Sequence, residues 1–183
     1  MGLRNTATRY GAVAQALHWV IAAGFAGQFA LAYYMTGLAN GPFKFEIYNL
    51  HKSIGLTLLA LAGLRLLWRW ANPVPALPEG RPRWEHVASR ASHVGLYGLI
   101  FLQPLTGLAQ VLYSPFPSVI WGVKLPRISQ AEAVADAFGA AHGYLQWIVV
   151  ALVAVHAGAA LRHHVVLRDD VLVRMLPGRG RRS

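Results

Sequence analysis

The sequence contains no cysteine. That absence excludes disulfides, cysteine-held iron–sulfur clusters and the thioether attachment of a c-type haem. It also leaves the redox compartment unreadable from thiols. Charge is scarce too. Asp, Glu, Lys and Arg make up 13% of 183 residues, where a soluble domain carries about a quarter. Acidic residues are the scarcest, seven against 17 Lys and Arg, for a net charge of +10. No DNA- or RNA-binding motif accompanies that charge, so nucleic acid is not the expected partner. What remains is apolar: 55% of the chain is hydrophobic. A chain this apolar and this short suits one membrane domain over residues 1–183, with the lipid bilayer as its surroundings. No internal repeat and no second domain stand out.

Three long stretches hold no Asp, Glu, Lys or Arg: Tyr10 to Phe43, Ala91 to Val123 and Ala137 to Leu161. A spanning helix needs about 20 residues. Four spans are expected, at about 14–35, 50–70, 92–113 and 140–161. The second carries Lys52 near one end and Arg65 and Arg69 near the other, positions from which long cationic side chains snorkel to the interface. Tyr33, Tyr34, Trp68, Trp70, Tyr113, Trp121 and Tyr144 fall near span ends, as an aromatic belt does. The fold class is all-α, an integral membrane four-helix up-down bundle.

The connections are read as loops. Gly37–Asn49 holds the turn signal Gly41-Pro42. Ala71–Arg90 has prolines at 73, 75, 78 and 82, which oppose helix at its start. Ser114–Gly139 begins with Pro115 and Pro117, and its Gln130–Phe138 part reads as a short interfacial helix. The Arg- and Gly-rich tail, Pro177 to Ser183, reads as disordered. Arg4 and Arg9 before an apolar run, with Ala30-Leu31-Ala32 beyond, raise the question of a cleaved signal peptide. The run is long for one, and Gln15, His18 and Gln28 interrupt it, so span one is expected to be retained.

Positive charge sets orientation. Arg4, Arg9, Arg65, Arg69, Arg81, Arg83, Arg90, Arg162, Arg168, Arg174, Arg179, Arg181 and Arg182 fall on one side, thirteen of the 17 basic residues. Lys44, Lys52, Lys124 and Arg127 fall on the other. Both termini of this multi-pass protein are therefore expected in the cytoplasm.

Four histidines mark depth. His18 lies near the start of span one, His51 at the start of span two, and His142 and His156 at the two ends of span four. Fourteen residues separate His142 from His156, about 21 Å along a helix and close to a whole number of turns. One helix thus offers two imidazoles on one face at opposite depths. Alternating span direction pairs His18 with His156 near the inner surface and His51 with His142 near the outer. Two facing histidine pairs in an apolar bundle are what two bis-histidine b haems need. Interface histidines are common, but polar groups at paired depths inside a membrane are costly and usually functional. A zinc or copper site would gather its ligands at one locus, often with carboxylates, and the spans hold none. Gly24, Gly27, Gly55, Gly63 and Gly158 offer room for a porphyrin, or for ordinary close helix packing.

The other four histidines are less constrained. His86 reads as solvated in a loop. His93 opens span three at the inner face, and His163 and His164 end span four there. His163 is two turns beyond His156 on the same face. From there it could hydrogen-bond a quinone carbonyl or relay its proton. It could equally anchor the interface beside Arg162. His93 and His164 compete with it for the quinone.

The segments Arg9-Tyr10 through Leu17-His18-Trp19, Leu50-His51-Lys52-Ser53-Ile54-Gly55 and Arg65-Leu66-Leu67-Trp68-Arg69 carry a family likeness. So do His93 with Tyr97, His142-Gly143, His156 through His164, and the tail from Leu172 to Pro177. Over nearly its whole length the chain resembles the bacterial cytochrome b-561 family, and within it the di-haem superoxide oxidases. The resemblance implies two b haems ligated by His18 and His156 and by His51 and His142. It implies oxidation of superoxide at the periplasmic face and reduction of ubiquinone inside, with His163 at the quinone. The expected activity is thus superoxide:quinone oxidoreductase, with the quinone pool as partner. Superoxide is a small anion, and Lys52, beside His51, could steer it, helped by Lys44, Lys124 and Arg127. Glu46, Glu132 and Asp136 on the same side oppose that field, and Lys52 could instead be a snorkelling anchor. One alternative is a non-catalytic haem b conduit of a hydrogenase- or formate-dehydrogenase-type complex, which requires a redox partner protein. Another is a haem-free metal transporter or structural membrane protein.

Overall fold

The computed structural model describes residues 2–76, 78 and 80–178. Four helices carry the chain: α1, Ala12–Gly37; α2, Pro42–Trp70; α3, Arg83–Tyr113; and α4, Glu132–Val165. All four are long and apolar enough to cross a membrane. A two-stranded antiparallel hairpin, β1 (Val119–Ile120) and β2 (Val123–Lys124), and a short 3-10 turn at Val173–Met175 complete the fold.

The helices run beyond the sequence-read spans, and each extension has a local cause. Gly41-Pro42 was read as a turn inside a loop. Proline instead opens α2 at its first turn, where its missing N–H costs no hydrogen bond and its fixed φ suits a helix. The connection from α1 shrinks to residues 38–41. The prolines at 73, 75, 78 and 82 do keep their segment non-helical, but α3 starts directly after Pro82. His86, expected in a loop, is therefore on a helix, though still exposed. The interfacial helix expected at Gln130–Phe138 is instead the start of α4, which runs from Glu132 through Gly139 without a break, a lone glycine costing a helix only about 1 kcal/mol. The hairpin was not foreseen. Its turn residues, Trp121 at φ 47° and Gly122 at φ 82°, are both left-handed, as the tightest hairpin turns require. Trp121 holds that posture by donating its backbone N–H to Ser53 Oγ and its indole N–H to Thr57 Oγ1, both at 3.0 Å.

Close backbone packing joins α1 to α2, α2 to α3, and α3 to α4. The pairs α1/α4 and α2/α4 do not pack closely. The bundle thus has a seam between the first two helices and the fourth. Gly24 belongs to the packing rather than to the seam, since a Cβ there would press on Leu58 at 2.5 Å. Gly27, Gly63 and Gly158 have open space where a Cβ would stand.

At the end of the bundle holding both termini, the tails are folded in. Asn5 accepts from Gly11 N–H at 2.9 Å and donates to Pro73 O at 2.9 Å. After α4, Arg168 adopts φ 53°, and the chain turns back beneath the helices. Gln15, 2% exposed, donates to Tyr10 O and Arg174 O, and Trp19 donates to Met175 O at 2.9 Å. Pro177 and Gly178 follow this cap and are exposed, and residues 179–183 of the tail read as disordered lie outside the described residues.

Candidate functional site: two histidine pairs across the seam

The seam is bridged by imidazoles. His18 of α1 faces His156 of α4 with ring centroids 6.3 Å apart. His51 of α2 faces His142 of α4, also at 6.3 Å. Both pairs join helices whose backbones do not pack together. They sit at opposite ends of the bundle, in the combination that alternating span direction gives.

The pair remote from the termini is held by its neighbours. His142 donates from Nδ1 to the backbone carbonyl of Gln103 at 2.8 Å. Gln103 returns a bond from its amide to His142 O at 3.1 Å. Gly107 leaves the ring its place, since a Cβ there would lie 3.0 Å from His142 Cε1. With Nδ1 occupied as a donor, Nε2 keeps the lone pair, which here accepts from the Gln103 amide at 3.4 Å and which a metal would take over. His51 is fixed through its backbone, whose carbonyl accepts from the Gln28 amide at 2.8 Å. Its own Nδ1 is buried without a partner. A mostly apolar cleft opens between these two rings, lined by Phe25, Phe29, Leu56 and Leu108 among others. It encloses about 1000 Å³ of atom-free space, its open mouth included.

Lys52 lines the same cleft. It is not a free surface lysine: its Nζ donates to Ser118 Oγ at 2.8 Å and lies 5.9 Å from the Phe45 ring centre. Ser118, just before the hairpin, is itself buried. Lys44 donates to Leu38 O and Asn40 Oδ1, and Arg127 to Pro115 O. Among the described residues none of Lys44, Lys52, Lys124 and Arg127 is ion-paired. Their positive charge at this end is uncancelled by contact.

The pair near the termini has more company. His93 of α3 stands 5.4 Å from His156, ring centre to ring centre, closer than His18 does. The place of Arg65 near a helix end predicts a snorkelling cation, but Arg65 turns inward. Its guanidinium donates to His18 Nδ1 at 2.7 Å and to Tyr97 Oη at 3.3 Å. Arg69 lies over the same Tyr97 ring at 5.5 Å. Tyr10 joins this cluster just before α1; burial raises its hydroxyl pKa despite the lowering effect of the Arg69 and Arg65 charges. Among the described residues no group of three or more His, Asp or Glu is arranged to hold a metal ion.

His163 is 9% exposed and His164 is exposed. The sequence places His163 on the face of His156 and leaves open which histidine meets the quinone. Missed altogether was the partner of His163. Asp169 Oδ2 accepts from His163 Nδ1 at 2.7 Å and from Arg81 at 2.9 Å.

A family model described as prokaryotic cytochrome b561 matches residues 9–178. The chain belongs to the prokaryotic cytochrome b561 family. It is a multi-pass bacterial membrane cytochrome that binds haem b and transfers electrons. It is 38% identical over 181 residues to cytochrome b561 homolog 2 of Escherichia coli (strain K12), covering 96% of this chain and 95% of that one. Over 146 residues this cytochrome is 32% identical to the probable superoxide oxidase CybB of Yersinia pestis, covering 78% and 82% of the two chains. Cytochrome b561 homolog 1 of E. coli (strain K12) is 29% identical over 130 residues, 70% of this chain and 74% of that one.

Proposed function

We propose that this cytochrome is a superoxide:quinone oxidoreductase that holds two b haems, one between His18 and His156 and one between His51 and His142. The observation that carries the reading is the repeated 6.3 Å separation of two imidazole pairs across an otherwise unpacked seam. Two imidazoles sharing one metal through nitrogen bonds of about 2 Å, with a ring half-width of about 1.1 Å each, have centres roughly 6.2 Å apart. Both pairs meet that distance. The unpartnered Nδ1 of His51 and the apolar cleft beside it fit the same group. So does the Nδ1 donor bond of His142, whereas at His18 the Arg65 bond to Nδ1 would have to give way for Nε2 to bind the iron.

Haem, when bound, would supply a one-electron iron couple, and the chain would supply position, ligating nitrogens and field. At the end away from the termini, His51 and His142 present their rings to a cleft that Lys52 flanks. The unpaired cations there raise the local concentration of a small anion. Lys52, held by Ser118, is the cation nearest the proposed ligand His51. The relative named probable superoxide oxidase supports superoxide as that anion. At the other end, His163 offers a protonatable ring to ubiquinone, which takes up two protons with two electrons. The excess of Arg at that end supports a cytoplasmic location for both termini.

Stopped-flow mixing of the oxidised protein with superoxide tests the reading. We expect haem reduction with a rate first order in superoxide and falling with ionic strength. Lys52→Glu should lower the second-order rate constant about tenfold at low salt and less at high salt, because it reverses a steering charge. Intact haem that superoxide does not reduce would defeat the proposal. A co-purifying catalytic subunit would then favour the electron-conduit alternative.

A further inference from the structure

Among the described residues no other carboxylate accepts from as many partners as Asp169. His163 Nδ1 and Arg81 reach Oδ2, and the backbone N–H of Val171 reaches Oδ1 at 3.1 Å. The chain is built to bring it there. After α4, the left-handed Arg168 reverses direction, and Asp169 N–H lands on His163 O at 3.1 Å. Backbone and side chain of one residue therefore both grip His163. The carboxylate is only 11% exposed. Burial pulls its pKa upward, but the hydrogen bonds from His163 and Val171 and the positive charge beside it prevail, so it stays ionised below the usual range.

We propose that Asp169 is the positioning residue for proton delivery by His163: it holds Nδ1–H, turns Nε2 to the quinone and stabilises the imidazolium between deliveries. This deepens the quinone role proposed above and rests on it. A carboxylate on Nδ1 fixes the tautomer and the ring orientation, as in other histidine–carboxylate pairs. In each delivery the Nε2–H bond breaks and an O–H bond forms on a quinone carbonyl oxygen. His163 becomes neutral and keeps Nδ1–H on Asp169. Water at the terminal face then returns a proton to Nε2. Two superoxide ions, released as two dioxygen molecules, supply the two electrons; His163 protonates the carbonyl oxygen it faces, water at the terminal face protonates the opposite one, and the quinone leaves as quinol.

Arg81 tunes the pair, since it shares Oδ2 with the imidazole. The other charged groups nearby are paired or turned outward. Glu85 of α3 binds Arg162 of α4, and Asp170 binds Arg174. His164 and Arg168 are exposed.

The test measures superoxide-driven reduction of a short-chain ubiquinone by the haem-loaded protein between about pH 5 and about pH 9, the window in which an imidazole titrates. Asp169→Asn should slow the reaction about tenfold and shift its controlling titration down by about one pH unit, because an opposite charge is lost. Arg81→Gln should shift it upward, because the full carboxylate charge then falls on the imidazolium. Asp169→Glu should recover part of the wild-type profile. At the alkaline end of that range, where the ring is neutral, nitrogen-15 spectra of labelled histidine should place the remaining His163 proton on Nδ1 in the wild type, and Asp169→Asn should weaken that preference. A purely structural clamp would move Asp169→Asn and Arg81→Gln in the same direction or leave both profiles on that of the wild type. Either result overturns the role of Asp169. If the wild-type haem is reduced but ubiquinone is not, the quinone reading fails and takes this inference with it.

Discussion

Replacing His142 by leucine is expected to remove one of two b haems and to abolish reduction by superoxide. The ring is placed by the Gln103 carbonyl, the Gln103 amide and the space beside Gly107. Leucine has similar bulk and no nitrogen. It keeps the helix and the apolar lining of the cleft but offers no bond to iron. The bundle should fold, because helix packing carries most of its stability and α3 still lies along α4. Haem per chain should fall from about two to about one. The remaining haem, between His18 and His156, should still be reduced by dithionite and by quinol. Superoxide should no longer reduce the protein, since the proposed point of entry is gone. Haem content that does not change would show that His142 is not a ligand.

The second large effect is expected at Arg65. Its guanidinium meets His18 Nδ1 at 2.7 Å. Reduction of ferric iron removes one positive charge, so a cation beside the metal favours the reduced state. Two unit charges about 7 Å apart, at an effective dielectric of about 20, interact by roughly 2 kcal/mol. For a one-electron couple that is on the order of 100 mV. An iron-bound neutral imidazole keeps its proton on Nδ1 and cannot accept there, so beside a bound haem the guanidinium would act through its charge rather than through this hydrogen bond. Arg65→Leu should therefore lower the potential of the haem nearer the termini by about that amount and leave the other nearly unchanged. Electron transfer to quinone should then become more favourable, while transfer between the two haems becomes less so. Redox titration followed by absorbance checks this. An equal shift in both haems, or a rise, would contradict the assignment.

These two residues also show what a sequence exposes and what it hides. The depth pairing of His18, His51, His142 and His156 was legible because a helix converts spacing into height and azimuth, and alternating spans convert order into facing. The direction of Arg65 was not legible. A cation near a helix end snorkels by default, and only the arrival of Tyr97 and His18 from other helices turns it inward. The same applies to His93, whose distance from His156 depends on how α3 meets α4. The signal that was present but unread lay in the glutamines. Gln15, Gln28 and Gln103 interrupt apolar spans, where an unsatisfied amide is costly. Each is buried. Gln28 and Gln103 bind the backbones of His51 and His142, and Gln15 binds the returning tail. Asp169 was hidden for a further reason: its reach to His163 needs the left-handed turn at Arg168, which an arginine does not announce.

The most direct test of the central claim is the haem content of the purified protein, by pyridine haemochrome assay together with a dithionite-reduced spectrum. Two histidine pairs of the right separation predict about two b haems per chain. One haem, or none after expression with adequate haem supply, would contradict the account of paired sites at both ends of the seam.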